Sequence, residues 1–129
     1  MEIKVGRKGS KEEIVTKDKV ASAVGSGSVA VYATPCLVLL AEATCKDCVA
    51  PFLEEGMTTV GTSVCIEHIA ATPMDMRVCC ECKLTEVDGR RLVFEVSCFD
   101  EAEQVGRGTH ERVIINQEKF EAKVNAKKQ

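Results

Sequence analysis

The chain predicts an α+β fold in which an antiparallel sheet wraps around one long central helix. Three observations predict it. Residues 33–53 (ATPCLVLLAEATCKDCVAPFL) form the longest apolar stretch and are apolar on nearly every side at helical spacing. After Gly56 the apolar period drops from about 3.6 residues to 2. Turn signals, foremost Asp88-Gly89, then divide residues 58–116 into four strands. A helix that is apolar all round must be covered all round, and only the strands are available to cover it.

Each element has its own justification. Residues 2–5 and 12–16 read as short extended pieces around a Gly-Ser loop. Residues 17–33 begin polar and pass through Gly25-Ser26-Gly27-Ser28, which predicts a helical turn near Val20 and then a flexible loop. That loop is either a gate over a pocket or a plain connector. Thr34 suits an N-cap and Pro35 the first helical position. Leu37, Leu40, Ala41, Thr44, Cys48 and Phe52 make one stripe; Val38, Cys45 and Val49 make a second. Glu42, Lys46, Asp47 and Pro51 make the stretch a poor membrane span. Gly56 fits a helix C-cap.

The first long strand covers residues 58–71, with Val60, Val64, Ile66, His68 and Ala70 on one face, and Thr72-Pro73 breaks it. Residues 76–87 and 90–100 follow, the latter facing inward through Leu92, Phe94, Val96 and Cys98. Residues 101–104 turn the chain into a last strand, 105–116, and the tail is a short helix or a fraying end. This is the hotdog arrangement. In that fold the sheets of two subunits usually join, which protects an exposed edge strand, so a homodimer is expected.

Composition narrows the function. The 129 residues fit one domain, 1–129. Seventeen basic and twenty acidic residues are well mixed, without a basic stripe, so nucleic acid is not an expected partner. The N-terminus lacks the apolar core of a signal peptide, and a cytoplasmic protein without a membrane partner is expected. The eight cysteines largely occupy apolar slots and read as reduced thiols. Cys45 and Cys48 form a C-x-x-C pair, which raises a metal or redox reading. It lies mid-helix, and the spacing of Cys79, Cys80 and Cys82 matches no common zinc set. Neither metal nor cofactor is expected.

Glu42 is the first chemical clue. It sits on the second stripe among Val38, Cys45 and Val49, aimed into an apolar wall. A carboxylate there needs a partner or a purpose, and desolvation would raise its pKa.

Three runs then point to a family: VGTSVCIEHIAATPMDMRV, LTEVDGRRLVFEVSCFDE and QVGRGTHERVIINQEKF. Together with the helix they resemble the fluoroacetyl-CoA thioesterase family of single-domain hotdog proteins, from about Thr34 to Lys123. HxAATP and GxGTHER are the most specific signals. The resemblance implies hydrolysis of an acyl-CoA thioester, with Thr34, Glu42 and His68 as the catalytic set and Gly61 and Arg112 contacting substrate. The chain departs from the fluoroacetate-specific enzyme upstream of the helix. That enzyme has a longer, aromatic-bearing lid there; here the region is short and Gly/Ser-rich, and Tyr32 is its one aromatic residue.

The implied roles are chemically sensible. Glu42 would attack the thioester carbonyl or activate water, and His68 would serve as general base. Thr34 stands at a helix N-terminus, where amides and the helix dipole favour an oxyanion; its hydroxyl would orient Glu42 or substrate. Thr34 and Glu42 are separated by about 12 Å along a regular helix. Substrate or a partner subunit must bridge them, or the first turn must bend; a site shared at the dimer interface is the expectation. Plain readings stand beside these: a cap at Thr34, a paired carboxylate at Glu42, a satisfied core imidazole at His68, a solvated or paired Arg112 and a bulge at Gly61. His110 reads as a strand or turn residue. A non-catalytic acyl-CoA-binding or sensor module on the same fold is the rival function.

Overall fold

In the computed structural model, which describes residues 2–129, five antiparallel strands form one sheet in the order β1 (Lys8–Ile14), β3 (Arg77–Asp88), β4 (Arg91–Asp100), β5 (Gln104–Asn116), β2 (Met57–His68). Helix α2 (Thr34–Val49) lies in the concave face and continues into a 3₁₀ turn, Ala50–Phe52. It buries Leu37, Leu40, Ala41, Thr44, Cys45, Cys48 and Val49. Against them stand Val78, Cys80, Cys82 and Leu84 of β3, and Leu92, Phe94, Val96 and Cys98 of β4. The period-2 pattern of the sequence therefore places its inward residues correctly in both strands. Each fully buried leucine or phenylalanine contributes about 1.5–3 kcal/mol from burial. The far side of the helix stays open in one chain: Leu39 is 65% exposed.

Several local expectations are corrected. β1 runs straight through Gly9-Ser10 instead of flanking them, and residues 2–5 form no strand. The glycine is needed because a Cβ there would stand 3.0 Å from Cys48 Cβ, so its absence lets the helix approach the edge strand. Thr34 is not the N-cap. Extended Ala33 fills that position without a side-chain cap, and Thr34 is already helical. Gly56 does not cap the helix either. Its φ of +83° serves a turn closed by Met57 N–H donating to the Glu54 carbonyl (3.0 Å), five residues beyond the proline that ends regular helix. The β3–β4 hairpin turns on Gly89-Arg90, one residue later than expected, with Gly89 at φ +61° in the first loop position. The tail forms α3 (Gln117–Asn125), capped by Asn116 Oδ1 accepting from Lys119 N–H.

The consequential departure is in β2. Gly61 pairs with Arg112 and Ser63 with Glu111, so Thr62 is an extra residue, its hydroxyl donating to the Glu111 carbonyl at 3.3 Å. In a regular strand residues 61 and 68 would point to opposite faces, because side chains alternate. The bulge cancels that parity. Gly61, Val64, Ile66 and His68 pair with Arg112, His110, Gly108 and Gly106, and all face the helix. Val60, expected beside Val64, is turned to the outer face. Simple alternation cannot reveal a residue that takes no part in it.

The β2–β5 register leaves no room at Gly108, where a Cβ would stand 2.0 Å from the Cys65 carbonyl oxygen and 2.8 Å from Ile66 Cα. Both are backbone atoms, so no rotamer relieves the clash. Gly108→Ala is expected to lower the urea-unfolding free energy by about 3 kcal/mol or more; unchanged stability would contradict this register.

Candidate active site

The entrance to α2 is pinned by backbone bonds. Tyr32 N–H donates to the Thr72 carbonyl at 2.8 Å and Ala33 N–H to the Lys19 carbonyl at 2.9 Å. Tyr32 is buried; its hydroxyl donates to the Glu13 carboxylate, whose other oxygen accepts from Lys19 Nζ at 2.7 Å. Burial and that carboxylate push the Tyr32 phenol above its ordinary range. Beside this wall, freed from any capping duty, Thr34 Oγ1 lies 2.8 Å from His68 Nδ1. The other ring nitrogen, Nε2, is buried and has no hydrogen-bond partner among the described residues. Burial holds the His68 pKa below the ordinary histidine value, opposed by the Ala70 backbone. A cleft of about 400 Å³ opens here, lined in part by Ser26, Gly27, Val29, Tyr32, Thr34 and His68. The Gly/Ser loop after α1 (Ala21–Val24) thus forms one wall of it.

A second group lies one helical stretch further on. Glu42 Oε2 is 3.9 Å from Arg112 Nη1, and a Cβ on Gly61 would stand 3.0 Å from that same oxygen. Arg112 is buried and fully oriented: Nε donates to Thr59 Oγ1 (2.8 Å), Nη2 to the Thr59 carbonyl (2.9 Å) and Nη1 to His110 Nε2 (3.2 Å). His110 is 1% exposed, pairs through Nδ1 with the Ser63 carbonyl at 2.8 Å and stacks on Phe94 with ring centroids 6.5 Å apart. Burial lowers the pKa of both His110 and Arg112, Glu42 opposing it in each case. The apolar wall expected around Glu42 is incomplete. Its side chain is 38% exposed in one chain, because that flank of the helix has no sheet over it.

The five residues singled out from the sequence therefore fall into two groups on one face of β2. Thr34 and His68 meet at the helix N-terminus; Glu42, Gly61 and Arg112 meet beyond the bulge. Among the described residues no hydrogen bond or ion pair joins Thr34 to Glu42. The helix is regular from Thr34 onward, so no bent first turn brings the two together. Sequence reasoning missed His110. Its signal was available: Gly106, Gly108, His110 and Arg112 alternate, so a buried Arg112 implies an inward His110.

Comparison with known proteins places this arrangement. A hot-dog-like protein from Thermanaerovibrio acidaminovorans superposes with a TM-score of 0.87 at 19% identity, over 95% of this chain and 91% of its own, which fixes the fold. The Streptantibioticus cattleyicolor fluoroacetyl-CoA thioesterase is 45% identical over 97 residues, 75% of this chain and 70% of that one. A crystal structure of a mutant fluoroacetyl-CoA-specific thioesterase superposes with a TM-score of 0.93 at 36% identity, covering 98% of both chains. Other crystals of variants of that enzyme contain acetyl-CoA, or fluoroacetate with CoA. The class is that of hotdog-fold acyl-CoA thioester hydrolases. Residues 15–118 match the fluoroacetyl-CoA-specific thioesterase family, and the chain belongs to that family.

Two histidines with lowered pKa, His110 buried and His68 half-buried, make stability depend on pH. Unfolding returns each to its ordinary value near 6.5, so the unfolded state binds more protons. Their contribution is fully present above about pH 6.5 and is lost as pH falls below it. Urea titrations between about pH 7.5 and 5 should show declining stability; a flat profile would mean that neither imidazole is held neutral by the fold.

Proposed function

We propose that the chain hydrolyses a small acyl-CoA thioester at a site built from Thr34, Glu42 and His68, with Gly61 and Arg112 contacting the substrate. The observation that carries this reading is the gathering of these five residues on the helix-facing side of a bulged β2, with Thr34 and His68 2.8 Å apart. The acyl-CoA substrate is argued from family membership and from the relatives crystallised with acetyl-CoA or CoA.

Glu42 either attacks the thioester carbonyl, the carbon–sulfur bond breaking to expel CoA thiolate and leave an acyl-glutamyl anhydride that water then hydrolyses, or directs that water onto the carbonyl itself. In both routes His68 takes the proton of the attacking water, the thiolate leaves as the CoA thiol once protonated, and the free acid and unmodified Glu42 are restored. Gly61 keeps the approach to the carboxylate open, since a side chain there would occupy space 3.0 Å from Oε2. Arg112, held from three sides, offers its remaining N–H groups to the substrate. For His68 to accept a proton at Nε2, Nδ1 must carry a hydrogen and donate it to Thr34 Oγ1. The threonine then orients the imidazole, and the first turn of α2 faces a developing oxyanion. No cofactor enters this chemistry.

The whole chain, 1–129, acts in this reading as one hotdog domain and works as a homodimer with the site near the interface. The two sheet edges differ. β1 carries Lys8, Lys11, Glu12 and Glu13, charges that discourage pairing, whereas β2 has no charged residue from Met57 to Ile66. Next to that uncharged edge Val64 is 39% exposed, and on the helix Leu39 is 65% exposed. A second copy across β2 would cover these groups and the open flank of Glu42. Eight free thiols fit a reducing, cytoplasmic setting. No helix among the described residues is long and apolar enough to cross a membrane.

Glu42→Gln and His68→Ala are each expected to slow thioester hydrolysis by about 100-fold or more, with sedimentation still showing a folded dimer. A near-parental rate in either variant would remove that residue from the catalytic set, and a monomer would remove the shared site.

A further inference from the structure

We infer that His110 is a positioning residue for the hydrolysis, tying the β2 bulge to the Arg112 guanidinium and so setting where Gly61 and Arg112 stand relative to Glu42. The inference rests on the hydrolase reading given above. It starts from two contacts of one ring. A carbonyl oxygen can only accept, so His110 Nδ1, 2.8 Å from the Ser63 carbonyl, must carry a hydrogen. A guanidinium can only donate, so Nε2, 3.2 Å from Arg112 Nη1, must present its lone pair. One species satisfies both contacts: neutral imidazole protonated on Nδ1.

Each contact holds a different part of the site. Ser63 is the first residue paired after the bulge, so the Nδ1 bond pins the strand just where its facing is reset. The Nε2 bond is the third of three that orient Arg112, beside those to the hydroxyl and carbonyl of Thr59. Of about five N–H donors on a guanidinium, these occupy one on each nitrogen and leave the others free on the two terminal nitrogens. Nη1 is the nitrogen nearest Glu42, at 3.9 Å. Without an acceptor at His110 that nitrogen would be free to turn onto the carboxylate and close the substrate's place.

The surroundings enforce the neutral ring. The charged groups acting on it are Arg112 and Glu111 on β5 and Glu42 on α2; β4 presents Phe94 and β2 presents Ser63, neither of which is charged. A proton on Nε2 would break the bond to Arg112 and set two cations 3.2 Å apart in a buried site.

Two substitutions separate the contacts. His110→Asn places an amide donor near the Nδ1 position, keeping the Ser63 bond and losing the acceptor for Arg112. His110→Gln reaches the Nε2 position with an acceptor oxygen, keeping the Arg112 bond and losing the other. With acetyl-CoA as probe, His110→Ala is expected to lower kcat/KM by about 10- to 100-fold. His110→Gln should recover part of that loss and His110→Asn should not, although both unfold at similar urea concentrations. Nitrogen NMR of the parent protein should show the neutral Nδ1–H tautomer of His110 at neutral pH. An Nε2–H tautomer, an imidazolium at neutral pH, or activities that simply follow stability across the variants would overturn the inference. A parent protein inactive on every acyl-CoA overturns the hydrolase reading and any catalytic role of His110 with it, a result seen before any substitution is made.

Discussion

The site depends on one extra residue in an edge strand. α2 and β2 run in opposite directions, so Thr34 meets the far end of the strand at His68 and Glu42 meets its middle at Gly61. For both meetings to fall on one face, the strand must change parity between residues 61 and 68, and Thr62 does this. Straightening the strand would leave either the glycine or the imidazole on the outer face. Bulges are common beside active sites because they re-aim side chains, at the expense of a local break in the ladder. Here the neighbouring ladder is stiff. Gly106 and Gly108 on β5 admit Leu37 and the β2 backbone so closely that neither tolerates a Cβ without displacement.

Around that strand the core is divided by chemistry. Toward β1, β3 and β4 the helix packs through small apolar surfaces in which cysteine replaces the usual aliphatic residues: Cys45 and Cys48 on α2 face Cys80, Cys82 and Cys98 on the sheet. A hydrogen bond with Cys82, then burial, raises the Cys45 thiol; a hydrogen bond with Cys98, then burial, raises that of Cys80; and burial pushes Cys48 up to about 11, so these three pack as neutral thiols. Toward β5 and β2 the buried layer turns polar, with Thr59, His110 and Arg112. A buried guanidinium is costly unless its donors are satisfied. Three hydrogen bonds and a nearby carboxylate offset that cost, and the same bonds fix its direction.

Much of this was legible in the sequence, and the limits have physical causes. The helix, the four strands after it and the inward residues of β3 and β4 follow from periodicity alone, because those strands lose one face to the core. A simple four-strand meander does not form, since β2 crosses to the far edge and pairs with β5 instead of β3, a long-range pairing that periodicity does not encode. Glu42 stood out as a carboxylate on an apolar stripe, and the family resemblance linked it to Thr34, His68, Gly61 and Arg112. The capping role of Thr34 failed because a threonine at a helix start cannot be told, locally, from one that serves a distant imidazole. Glu42 is more exposed than a helix apolar on nearly every side implies, because one flank of that helix is not covered within its own chain. His110 reads only as a strand or turn residue because alternation with Arg112 gives its facing but not its contact with the Ser63 carbonyl, which depends on the bulge.

In the proposed mechanism the two residue groups on β2 act together on a thioester. The most direct measurement follows free thiol release by the purified protein across short, branched, aromatic and fluorinated acyl-CoAs. Turnover of small acyl-CoAs is expected, with rates set by the acyl group. Tight acyl-CoA binding without release of thiol from any of them would contradict that mechanism and leave a binding module built on the same fold.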